Sequence, residues 1–112
     1  MVTATTELDR IIAEFVALLS GAAQVEAVIL YGSYVNGSPD EWSDIDIAVV
    51  SPDFEGVDMW KRQRIISRAT VEREPSLAPI GYPSSEYHNP GPHSFLREIM
   101  RTGKVVYQAP RS

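Results

Sequence analysis

Two short apolar runs, "VEAVILY" at 25–31 and "IDIAVVS" at 45–51, constrain the fold more than anything else in the chain. Both are rich in β-branched residues and too short for comfortable helices, so each predicts a strand. Between them lie Gly32, Asn36, Gly37 and Pro39, residues that turn the chain and interrupt regular structure. The second run opens on two carboxylates, Asp44 and Asp46. Two acids at the mouth of a buried strand call for a physical reason.

The rest of the chain supplies layers for these strands. Residues 6–20 place Leu8, Ile11, Ile12, Phe15, Val16 and Leu19 at helical spacing, with Thr6 and Asp9 as a loose capping box and Gly21 as a stop. Residues 57–73 predict a second helix, with Trp60, Ile65, Ala69 and Val71 turned inward. Its cations at 61, 62, 64, 68 and 73 give a solvated face, or one that meets an acidic partner or a triphosphate. "SLAPIGY" at 76–82 predicts a third strand, which Pro79 confines to an edge or a broken register. Residues 83–92 hold four prolines or glycines and predict a loop. "SFLREIMRTG" then predicts a short helix stopped by Gly103, and "KVVYQ" a final edge strand, before a frayed "APRS" tail. Helices alternating with strands give an α/β (α+β) class: a small mixed sheet with helices packed on it.

A chain of 112 residues predicts one domain spanning 1–112, with roughly 60% or a little more of its unfolded surface buried. A formal charge of −5 argues against nonspecific nucleic-acid binding, and no direct DNA binding is expected. It leaves room for a nucleotide substrate, because a metal ion can bring the missing positive charge. The absence of cysteine excludes disulfides, thiolate catalysis and cysteine-ligated zinc. No apolar run approaches a membrane span, and "MVTATTELDR" lacks the features of a signal peptide. The expectation is a soluble, cytoplasmic protein without a membrane partner.

In an extended strand Asp44 and Asp46 share one face, their Cα atoms about 6.6 Å apart. Ile45, Ile47 and Val49 take the other face and anchor the core. The paired carboxylates repel unless something positive lies between them, and Mg²⁺, a hard cation with oxygen ligands, suits that place. Gly32 and Ser33 end the preceding strand; a glycine there admits close backbone approach, and exposed N–H groups with the Ser33 hydroxyl can hold phosphate oxygens. A phosphate cradle beside a carboxylate pair makes a site for a nucleoside triphosphate. The bland alternative is a solvated strand end. An EF-hand reading of "DEWSDID" fails for want of the loop glycine, and a Walker A reading of "GSYVNGSP" for want of the lysine.

Gly32-Ser33, ten residues and then Asp44-Ile45-Asp46 resembles the GS-x10-D-x-D signature of the minimal nucleotidyltransferases of the DNA polymerase β superfamily. Tyr31, Gly37 and Ser43 fit its flanks, and "FLREIMRTGKVVY" resembles its closing helix and strand. The resemblance implies the nucleotidyltransferase core and a Mg²⁺-dependent transfer, with one or two ions, of a nucleoside monophosphate to a hydroxyl. ATP is the implied donor. Gly32 and Ser33 would bind the nucleotide phosphates, and Asp44 and Asp46 would be the catalytic, metal-binding pair. It also implies an antitoxin whose partner, a HEPN-type protein, supplies the acceptor. The alternative is a non-catalytic nucleotide- or partner-binding module of the same fold, because the superfamily's third carboxylate falls here at Ala78. Glu74 and Glu86 are the candidate substitutes. His88 and His93, with no partner at ligand spacing, read as surface residues, and Trp60 and Tyr82 as core or loop-packing groups.

Overall fold

The computed structural model describes residues 2–36, 44–70 and 76–110, with backbone alone at 2–6 and 36. The Thr6 side chain, Gly37, Pro39, Ser43, Val71, Arg73 and Glu74 lie outside the described residues. Helix α1 (Val2–Leu19) leads into β1 (Ala27–Tyr31), and a four-residue helix, α2 (Ser33–Asn36), follows Gly32. Strand β2 (Ile45–Ser51) has the expected bounds; a 3-10 turn (Pro52–Phe54) joins it to α3 (Met59–Ser67). Then come β3 (Leu77–Pro83), α4 (Ser84–His88), α5 (Phe95–Thr102) and β4 (Lys104–Gln108).

The four strands form one mixed sheet in the order β3-β2-β1-β4. β1 runs antiparallel to both β2 and β4, while β2 and β3 are parallel. Each face buries its own cluster. Val28, Leu30, Ile45, Ile47 and Val49 pack with Ile11, Phe15 and Leu19 of α1 and with Phe54 and Ile66. Ala27, Ile29, Ala48, Val50 and Tyr82 pack on the other side with Leu96 and Ile99 of α5. Side chains of Phe15 or Ile47 size contribute about 1.5–3 kcal/mol each when fully buried.

Both outer strands lie where Pro79 and "KVVYQ" predict, at the two edges. The β3 edge is closed by side chains of α3. Gln63 donates from Nε2 to the Pro79 carbonyl at 3.0 Å and accepts from the Gly81 N–H at 3.3 Å, as a strand residue would. Arg62 donates to the Gly81 carbonyl at 3.1 Å. Pairing groups left open on an edge invite another strand, and here two side chains occupy them.

Four expectations need correction. Helix α1 begins at Val2, ahead of the expected Thr6–Asp9 capping box, and α3 ends at Ser67, short of the expected 57–73 span. Trp60 is 83% exposed, because the inward stripe of α3 runs through Ile66 and on to Ala69. Six residues before Ile66 is about 120° away around a helix, so Trp60 faces water. Residues 84–88 are helical, within the expected loop. Helix α4 receives its N-terminal cap from afar: Glu55 accepts from the Ser85 N–H at 2.7 Å and from its hydroxyl at 2.8 Å. Gly103 does end α5, and a Cβ there would stand 2.6 Å from the carbonyl oxygens of both Ile99 and Leu30, so glycine lets the helix end press against β1.

Candidate active site

The motif residues meet at one end of the sheet. Tyr31 closes β1 and pairs with Asp46 of β2, which pairs in turn with Ala78 of β3. Gly32 then turns the backbone with φ +81°, a conformation that side chains with a Cβ rarely adopt. The turn brings its Cα against the Asp46 carboxylate: a Cβ added at Gly32 would lie 2.5 Å from Oδ2. Ser33 follows as the first residue of α2. The strand end, the turn and the acid therefore share one small space.

Asp46 is half-buried on the face that carries Tyr31 and Tyr82, and Asp44 is exposed just before the strand. Burial raises the Asp46 pKa above the ordinary carboxylate value, and the nearby Asp44 charge adds to the rise. Two carboxylates this close disfavour each other's charge, the setting in which a hard cation is favourable. Asp44 is also tied to the start of β3, its Oδ1 accepting from the Ser76 hydroxyl at 2.5 Å. Ser76 was not singled out in the sequence, since nothing local links it to an aspartate so far away.

Aromatic groups line the same face. Burial raises the Tyr31 phenol pKa, with Asp46 contributing. The Tyr82 phenol is pushed up to about 12 by burial, then by Tyr31 and Glu86. The Tyr31 ring meets Phe95 of α5 edge-to-face, centroids 6.0 Å apart.

The third carboxylate has a different outcome at each candidate position. Ala78 lies beside Asp46 in register and bears no acid. Glu86 sits on α4, which begins after the far end of β3, and accepts from the Ser94 hydroxyl at 3.1 Å. Its charge acts on Tyr82. Glu74 lies outside the described residues. Among the described residues no three acids or histidines converge as a ready-made metal cluster. The two aspartates and the glycine cradle suit a cation shared with a ligand, since Mg²⁺ takes one or two carboxylates and completes its shell with water and phosphate.

The sheet's opposite end holds an open pocket lined by Gln24, Glu26, Pro52, His88 and Gln108. It contains none of the motif residues. His88 there contacts the Glu26 carboxylate at 2.5 Å, a partner invisible to local spacing.

The family model described as polymerase beta, nucleotidyltransferase matches residues 14–112. The chain belongs to that nucleotidyltransferase family. A crystal structure from Sulfolobus solfataricus, assigned provisionally as a nucleotidyltransferase, superposes with a TM-score of 0.71 over 96% of this chain and 86% of that one. At 17% identity the likeness is one of fold. No curated protein matches the chain by sequence. Nucleotidyltransferase domains generally use divalent metals and nucleoside triphosphates. Among the described residues no helix is long and apolar enough to cross a membrane.

Proposed function

We propose that this nucleotidyltransferase, acting as a single domain over 1–112, moves AMP from ATP to a hydroxyl on a partner protein. The observation that carries the reading is the contact between the Gly32 turn and the Asp46 carboxylate, with Asp44 two residues away. Gly32 and Ser33 hold the β- and γ-phosphates through backbone N–H groups and the Ser33 hydroxyl. Asp44 and Asp46 hold Mg²⁺, as one or two ions, which when bound would offset phosphate charge and stabilise the displacement at phosphorus. The acceptor oxygen bonds to the α-phosphorus, the bond to the bridging oxygen breaks, and pyrophosphate leaves. Because Ala78 has no group to receive it, the hydroxyl proton passes to Glu74, to a base brought by the acceptor or to water.

The protein partner is read as a HEPN-type toxin, with this chain as the cytoplasmic antitoxin that modifies it. Support comes from the family resemblance. The test is incubation with ATP labelled at the α-phosphorus, Mg²⁺ and the protein encoded beside it. Label should reach the partner and vanish with Asp44→Asn/Asp46→Asn. Absence of transfer, or transfer undiminished in that variant, overturns the reading.

A second reading is favoured by Ala78 opposite Asp46. In it the protein binds nucleotide or partner without turnover. It predicts a complex with the partner that survives loss of both aspartates.

A further inference from the structure

We propose that Phe95 is the stacking platform for the purine base of the bound nucleotide, backed edge-on by Tyr31. The inference rests on the nucleotide site proposed above and adds to it a base subsite of stated chemistry. Several large apolar side chains of the molecule are exposed, Leu18, Met59, Trp60, Met100 and Val105 among them. Phe95 differs from these in what it touches. It is 56% exposed, yet its ring meets Tyr31, the residue directly before Gly32 and the strand partner of Asp46. An open aromatic surface thus packs against the residue that leads into the Gly32 turn.

Its support is rigid. Ser94 caps α5 by accepting from the Leu96 N–H at 3.1 Å, and its hydroxyl is held by Glu86. Leu96 and Ile99, the neighbours that anchor the helix, are buried against Ala27, Ile29, Ala48 and Val50. The ring is therefore held in place without being covered, as a preorganised contact requires. Every base offers a π-face, and the larger purine surface gains more from stacking than a pyrimidine does.

Calorimetric titration of the whole chain with Mg²⁺-ATP, Mg²⁺-CTP and Mg²⁺-tripolyphosphate tests this. ATP should bind more tightly than CTP, and CTP more tightly than tripolyphosphate. Phe95→Ala should weaken ATP about tenfold and leave tripolyphosphate unchanged, and Phe95→Trp should restore ATP binding. Because Phe95 is exposed, the alanine variant should melt within a few degrees of the parent. The platform is overturned if Phe95→Ala binds ATP like the parent, if it loses both ligands equally, or if CTP matches ATP. If neither ATP nor tripolyphosphate binds the parent chain, the nucleotide site itself fails. If tripolyphosphate binds and ATP binds no tighter, only the base platform fails.

Discussion

The Gly32 backbone rests against the Asp46 carboxylate so closely that one added carbon would stand 2.5 Å from Oδ2. Two penalties therefore meet in Gly32→Ala: the positive φ, worth about 1–3 kcal/mol, and the clash with Asp46. The variant should melt roughly 5–15 °C lower. The clash belongs to the pair, whereas the backbone strain belongs to Gly32 alone. In the double variant Gly32→Ala/Asp46→Ala, part of the loss should return, as a non-additive coupling in calorimetric melts. Strict additivity would mean that the two residues do not share that space.

Glu55 makes a pH prediction. The Ser85 N–H and hydroxyl hold its carboxyl below the usual glutamate value. A depressed carboxyl contributes stability above its unfolded pKa and loses it as pH falls through its folded pKa. Glu55→Gln should thus melt below the parent at neutral pH, and the two curves should converge once the pH is well under the ordinary glutamate value near 4.5. A gap that persists unchanged into acid would assign the effect to shape rather than charge.

These cases show what the sequence could and could not carry. Strand β2 was legible to the residue because "IDIAVVS" is apolar, β-branched and bounded by turn residues, all local signals. Pro79 announced an edge for the same reason: a missing N–H is a local property. Helix α4 was illegible because its cap, Glu55, comes from 30 residues away. The Ser76 contact to Asp44 spans 32 residues and has the same character. Trp60 failed differently. Residues 57–73 contain too few apolar positions to fix a helical phase, and burial of Ile66 decided it. The approach of Gly32 to Asp46 was legible because the two lie close in sequence, whereas the contact of Tyr31 with Phe95 was not, because it joins two separate elements.

Gln63 yields a prediction about solution behaviour. Its amide satisfies two β3 backbone groups that would otherwise face out from the edge. Gln63→Ala removes both bonds, each worth about 0.5–1.5 kcal/mol net, and reopens a template for strand pairing. The variant should lose roughly 1–2 kcal/mol in denaturant melts and associate with rising concentration by light scattering. A stable, strictly monomeric variant would show that Pro79 and Arg62 close the edge unaided.

Ala78 provides the sharpest test of the carboxylate pair. It pairs with Asp46, so Ala78→Asp puts a third acid on the same sheet face, about 4.8 Å away between backbones. Without metal the new charge must add to a site where burial and Asp44 already disfavour the ionised Asp46. The apo variant should therefore melt below the parent. Mg²⁺ should reverse the order, since a ligand that binds only the folded state stabilises in proportion to its affinity, and a third hard oxygen donor raises that affinity. The measurement is melting temperature against Mg²⁺ concentration for parent and variant, with a parallel series in Ca²⁺. A steeper rise for Ala78→Asp supports a shared cation site at Asp44 and Asp46. Curves that run parallel would mean that the space beside Asp46 does not hold a metal, and would turn the proposed chemistry toward a binding role.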